Sequence, residues 1–81
     1  MYKAKVYITL KDSILDPQGT AVKKALENLE YKNVEELRIG KAIYIKINES
    51  DKQKAEVQLK NMCEKLLYNP IIENYTYELE G

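Results

Sequence analysis

The first pattern along the chain is an alternation. Tyr2, Ala4, Val6, Ile8 and Leu10 fall on one side of an extended segment, and Lys3, Lys5, Tyr7 and Thr9 on the other. A period of two marks a half-buried strand. The run from Lys11 to Gly19 breaks the pattern, and within it Asp16 can cap a helix whose first residue is Pro17. From Val22 the apolar residues recur at 22, 25, 26 and 29, a spacing that lays one helical stripe on a core. Helix one is therefore predicted to end near Glu30.

Residues 34 to 47 carry a longer alternation. Leu37, Ile39, Ile43, Ile45 and Ile47 keep odd parity, Arg38, Gly40, Ala42, Tyr44 and Lys46 occupy the even side, and Lys41 breaks the odd face. One straight strand over this run would reach roughly 46 Å at about 3.3 Å per residue. A globular chain of this size has a radius of gyration of only about 12 Å. The strand must therefore bend or bulge at Gly40-Lys41, or extend beyond its own domain as an arm.

Ser50 followed by Gln53 reads as a capping box. Behind it Ala55, Leu59, Met62, Cys63 and Leu66 recur with helical spacing, so 51 to 67 is helix two, stopped by Asn69-Pro70. Ile71 to Glu80 alternates again and forms a last strand. The order β, α, long β, α, β predicts a ferredoxin-like α+β sandwich in one domain spanning 1 to 81. Its β-α-β-β-α-β unit has central strands forming one long bent strand around Gly40, and its antiparallel sheet carries both helices on one face. The other face would carry Lys3, Lys5, Tyr7 and Thr9 with Arg38, Ala42, Tyr44 and Lys46.

Composition narrows the chemistry. Among 81 residues there is no His, no Trp and no Phe, one Cys and seven Tyr, and 13 Lys+Arg balance 13 Asp+Glu. Without His, triads, His-based metal sites and Cys–His nucleophiles are excluded. One Cys makes neither an internal disulfide nor a multi-thiolate zinc site. No apolar run reaches signal-peptide or membrane-span length, so the expected compartment is the cytoplasm. Residues 1 to 46 sum to +3 (nine Lys/Arg minus six Asp/Glu) and 47 to 81 to −3 (four minus seven), short of the basic bias of nucleic-acid binding. Surface scaling predicts roughly 5,000 Å² exposed when folded, a marginal core that a partner subunit would reinforce.

Single residues add little catalytic potential. Cys63 lies in the apolar stripe of helix two and reads as a buried structural thiol. Glu35 and Glu36 point to opposite faces of a strand, and Lys23 and Lys24 lie on a solvated helix face. Arg38-Ile39-Gly40-Lys41-Ala42-Ile43-Tyr44-Ile45 loosely echoes an RNA-recognition signature, but Ile39 stands where its first aromatic ring belongs. Asp16-Pro17-Gln18-Gly19 reads either as a plain helix start or as a loop shaped to fit another surface. Tyr favours interfaces, although strand propensity alone accounts for Tyr7, Tyr44, Tyr75 and Tyr77.

Several of these stretches together resemble a known family. Val6-Tyr7-Ile8-Thr9-Leu10-Lys11, Ile14-Leu15-Asp16-Pro17-Gln18-Gly19, Ala25-Leu26, Val34 and Arg38-Ile39-Gly40-Lys41 are similar in order and spacing to PurS, the small subunit of bacterial and archaeal phosphoribosylformylglycinamidine (FGAM) synthase. The likeness continues through Met62-Cys63-Glu64-Lys65-Leu66-Leu67, Asn69-Pro70-Ile71-Ile72-Glu73 and Tyr75. Two departures stand out: Glu30 where the family usually has Gly before Tyr31, and Tyr68 where a small residue usually precedes Asn69.

The resemblance implies a non-catalytic adaptor in purine biosynthesis. It would bridge a glutaminase subunit (PurQ) and an ATP-dependent synthetase subunit (PurL) and assist ammonia transfer between them. The complex converts formylglycinamide ribonucleotide, glutamine and ATP to the amidine. On this reading no catalytic residue, metal ligand or cofactor belongs to this chain, and ATP and Mg act on the large subunit. The chain would be a homodimer or a dimer of dimers, with no nucleic-acid or membrane partner. Candidate contacts for the larger subunits are Asp16, Pro17, Gln18, Gly19, Arg38, Gly40, Lys41, Asn69 and Pro70. Tyr44 and Tyr68 are the candidate dimer contacts. The alternatives are a free-standing ferredoxin-like small-molecule sensor domain and, behind it, an RNA-binding module.

Overall fold

Three strands and two helices follow one another in the computed structural model, which describes residues 1–81. They are β1 (Tyr2–Leu10), α1 (Pro17–Asn28), β2 (Gly40–Ile47), α2 (Lys52–Met62) and β3 (Glu73–Glu80). The last turn of α2 widens into a π-helical turn, Cys63–Leu67, which shifts the helical phase: Leu66, expected in the apolar stripe, is 83% exposed, and Leu67 packs against the core instead. β1 is the central strand of an antiparallel sheet of order β2-β1-β3. Its partners include Val6 opposite Ile43 and Tyr77, and Lys5 opposite Tyr44 and Glu78.

The alternation in β1 is realised as predicted. Ala4, Val6 and Ile8 are buried together with Ile47 of β2 and with Ala55, Leu59 and Cys63 of the second helix. Ile43, Ile45, Tyr75, Tyr77 and Leu79 complete this face from the flanking strands. Cross-strand register sends Lys3, Lys5, Tyr7, Thr9, Ala42, Tyr44 and Lys46 to the opposite face, which no helix covers. This is the ferredoxin-like α+β arrangement in its sheet and second helix.

Four local expectations are corrected. First, only Gly40–Ile47 of the long alternation is laddered. Residues 34 to 39 belong to no helix or strand and form no backbone-to-backbone hydrogen bond, because no strand of the same chain lies alongside them. Second, Arg38 consequently leaves the open face and turns its guanidinium into the loop after β1. Third, the cap of α2 is Asp51, one residue beyond Ser50; its carboxylate accepts from the Gln53 and Lys54 amides. Fourth, β3 starts at Glu73, since Ile71 and Ile72 are held in a turn by Asn69.

Helix α1 starts where expected, with Asp16 as its cap and Pro17 as its first residue. It does not join α2 on the sheet. Its apolar stripe is left open, with Val22 42% and Leu29 67% exposed. The molecule measures 50 × 25 × 14 Å with a radius of gyration of 16.3 Å, against about 12 Å for a compact chain of this length. A nine-residue strand spans about 30 Å and a twelve-residue helix about 18 Å, so the long dimension is sheet plus helix placed end to end. Neither outcome predicted for a strand over 34 to 47 is observed, since the strand starts at Gly40; it is α1, with the segment returning from it, that stands out from the sheet as an arm. Its exposure is visible in the total surface of 6207 Å², roughly 1,200 Å² above the scaling value of about 5,000 Å².

Candidate subunit interface

The C-terminal end of β1 gathers nearly all the residues singled out as contacts. Thr9 of β1 pairs with Gly40, which begins β2, and Leu10 pairs with Glu73, which begins β3. The outgoing loop to α1, the returning segment from α1 and the Asn69-Pro70 turn therefore meet at one end of the sheet. A shallow cleft of about 250 Å³ lies there, lined among others by Asp16, Gln18, Ile39, Gly40, Lys41 and Glu73.

Asp16 is the organising group. Its side chain is only 5% exposed, and one carboxylate oxygen accepts from the Gly19 amide at 3.0 Å while the other accepts from the Ile39 amide at 2.7 Å. Its carbonyl accepts from the Thr20 hydroxyl at 2.9 Å. These bonds to the charged form, first that from Gly19 and then that from Ile39, hold its carboxyl below the ordinary value of 3.8 against the opposing effect of burial, and the Arg38 charge acts in the same direction. Arg38 itself donates to the carbonyls of Lys11 at 3.0 Å and Ile14 at 2.9 Å. Further along, the Lys23 ammonium donates to the Glu35 carbonyl at 2.8 Å, fastening the returning segment to α1.

Asp16, Gly19 and Arg38 are thus engaged within the chain, whereas Pro17, Gln18, Gly40 and Lys41 remain exposed around them. Asn69 and Pro70 form a rigid turn. The Asn69 side chain accepts from the Ile71 amide at 3.0 Å, the Asn69 amide donates to the Glu73 carboxylate at 2.7 Å, and Lys11 is tied to Ile72 by a backbone bond of 2.8 Å. Tyr44 and Tyr68 separate. Tyr44 stands 72% exposed on the open sheet face, while Tyr68 packs against the core with its ring 4.6 Å from that of Tyr75 and tilted by 59°.

Sequence reasoning missed the role of Ile39 and the Lys11 and Ile14 carbonyls, because backbone groups leave no signal in residue identity. It also missed Glu73, although an acid four residues after Asn69 was in view. Cys63 is buried as expected, and desolvation with the Glu64 charge raises its thiol pKa. No group of three or more His, Cys, Asp or Glu side chains is placed to hold a metal ion, and no helix is long and apolar enough to cross a membrane.

Comparison with known proteins gives a consistent result. Residues 3–81 match the sequence model of the family PurS, described as phosphoribosylformylglycinamidine (FGAM) synthase. The PurS subunit of Bacillus subtilis is 52% identical over 80 residues, covering 99% of this chain and 94% of that protein. Its crystal structure superposes with a TM-score of 0.87 over the whole of both chains. PurS of Methanocaldococcus jannaschii, described as one of the subunits of formylglycinamide ribonucleotide amidotransferase in the purine biosynthetic pathway, is 41% identical in the matched structure. Its TM-score is 0.86, covering 99% of this chain and 96% of that one. A chain of the PurLQS structure from Thermotoga maritima is 29% identical with a TM-score of 0.89, covering 98% of this chain and 96% of that one.

Proposed function

The chain belongs to the PurS family, and from that membership we propose that it is the adaptor that joins the glutaminase and synthetase subunits of FGAM synthase. It is a subunit of that synthase in purine biosynthesis, in a complex with PurL and PurQ. The adaptor role, assistance to ammonia transfer, the placing of ATP and Mg on the large subunit and a cytoplasmic location are our reading. The observation that carries it is the likeness, along nearly the whole chain, to a PurLQS component. The convergence of Pro17, Gln18, Gly40, Lys41, Asn69 and Pro70 at one end of the sheet supplies a surface of the kind an adaptor needs.

Self-association follows from the arm. β2 is an edge strand whose outer backbone groups are unpaired, and residues 34 to 39 lie outside any helix or strand with no backbone partner. The segment runs into β2 without a turn, so it does not reach the edge of its own β2. It can reach the β2 of a second copy. Reciprocal pairing completes a fourth strand in each sheet and carries α1 with it. The stripe of Val22, Leu26 and Leu29 then covers the partner's half-buried Ile43 and Ile45. The excess of roughly 1,200 Å² over the scaling value is of the order a two-fold interface of about 800 Å² per chain removes.

Reconstitution tests the adaptor role. With PurL, PurQ, glutamine and a Mg-nucleotide, the larger subunits should co-elute only when this chain is present, and glutamine-dependent turnover should require it. Turnover on added ammonia should not. Full glutamine-dependent turnover by PurL and PurQ alone would overturn the reading.

A further inference from the structure

We propose that Asp16 and Arg38 form an elbow that holds the α1 arm away from its own sheet, so that the chain completes its fold with a second copy and not with itself. The inference rests on the exchange described above and adds the device that enforces it. The chain leaves the sheet through Lys11 to Asp16 and returns through Leu37 to Gly40. The Asp16 carboxylate bridges the α1 start at Gly19 and the returning Ile39 amide. The Arg38 guanidinium, on the returning side, grips the outgoing carbonyls of Lys11 and Ile14. Gly19 lets these strands approach: a side chain there would meet the Asp16 carboxylate and lie 2.7 Å from the Leu37 carbonyl oxygen.

Closure within one chain requires a different path. For residues 34 to 39 to fold back beside their own β2, the backbone must reverse at Ile39 to Lys41, which moves the Ile39 amide and Arg38 away from Lys11, Ile14 and Asp16. The two sets of hydrogen bonds and the closed monomer are mutually exclusive. An open monomer keeps the elbow and so does the exchanged dimer. Loss of the elbow therefore weakens both relative to the closed form, the hinge behaviour known from domain-swapped proteins.

Two substitutions separate the elbow from ordinary stability. Arg38→Met keeps the apolar stem and leaves the cap of α1 and the core untouched. Asp16→Ser keeps an N-cap hydroxyl for α1, but one short oxygen cannot also bridge to Ile39. Light scattering and small-angle X-ray scattering at low micromolar concentration, with circular dichroism for helix content, give the readout. We expect the unaltered chain to be a dimer. Each variant should retain its helix content, dimerise at least tenfold more weakly, and yield a monomer near the compact radius of about 12 Å instead of 16.3 Å. Variants that dimerise as tightly as the unaltered chain overturn the elbow. So does a monomer that stays extended. An unaltered chain that is monomeric at a radius near 16.3 Å defeats the exchange while leaving the elbow standing. A compact unaltered monomer defeats both.

Discussion

The Ile39 amide donates to the Asp16 carboxylate at 2.7 Å across 23 positions of sequence, and this bond joins the start of α1 to the start of β2. Because the carboxylate also accepts from Gly19 and lies near Arg38, its folded pKa is depressed below 3.8. A depressed carboxyl contributes stability that is complete above its unfolded pKa and lost as pH falls through the folded value. Urea unfolding midpoints should hardly respond to this group between pH 7 and 5 and should fall below about pH 4. Asp16→Ser should flatten that acid limb. An identical acid limb in the variant would dissociate Asp16 from it.

Glu30, just after the end of α1, has a φ of 74°, the left-handed conformation that favours glycine. The left-handed conformation costs an L-residue roughly 1–2 kcal/mol, and Gly adopts it freely. Glu30→Gly should therefore stabilise the protein by about 1 kcal/mol, while Glu30→Ala should give no comparable gain. Denaturant midpoints of the two variants decide the matter, and equal midpoints would exclude backbone conformation as the cause.

Gly19 presents the opposite case. Ala is the better helix former by about 1 kcal/mol, yet its methyl would lie 2.7 Å from the fixed Leu37 carbonyl oxygen. Overpacking of this kind costs about 1–3 kcal/mol, so Gly19→Ala should lower the thermal midpoint. A raised midpoint would mean that the returning segment yields easily.

Tyr44 and Tyr68 should respond differently to truncation. Tyr44→Ala removes an exposed ring and should change monomer stability by less than about 0.5 kcal/mol. Tyr68→Ala breaks the ring pair with Tyr75 and core packing, at about 1–3 kcal/mol. Comparable urea midpoints would contradict this separation.

The exposed stripe of α1 predicts a concentration effect. A Val22→Glu/Leu29→Glu double variant places charge where a single chain is open to water, so α1 should still form. Dimerisation should weaken by at least about a hundredfold, since each desolvated carboxylate costs several kcal/mol. The unaltered chain should melt at higher temperature as its concentration rises, and the variant should not.

Much of this architecture was legible from the residues. The period in β1, the Asp16-Pro17 start of α1 and the stripe of Ala55, Leu59, Met62 and Cys63 specify their elements because local geometry and burial agree there; Leu66 departs from the stripe because the π-helical turn shifts the phase by then. The stripe on α1 marks a face that the single chain leaves open, with Val22 42% and Leu29 67% exposed; on the proposed exchange a second copy covers it. Parity in 34 to 47 overruns the observed strand, which starts at Gly40, because an alternating pattern does not say whether a neighbouring strand is there to pair with. Asp16 and Arg38 stand out in the sequence as candidate contacts for the larger subunits, and the structure adds what they hold within the chain. Their partners here are the backbone groups of Ile39, Lys11 and Ile14, which no side-chain pattern encodes.

The central claim, that α1 of one copy covers the sheet of another, is tested most directly by isotope-filtered NMR on a dimer mixed from differently labelled chains. The account predicts intermolecular contacts between the methyl groups of Val22, Leu26 and Leu29 in one copy and those of Ile43 and Ile45 in the other. The same contacts found only within one chain would contradict it.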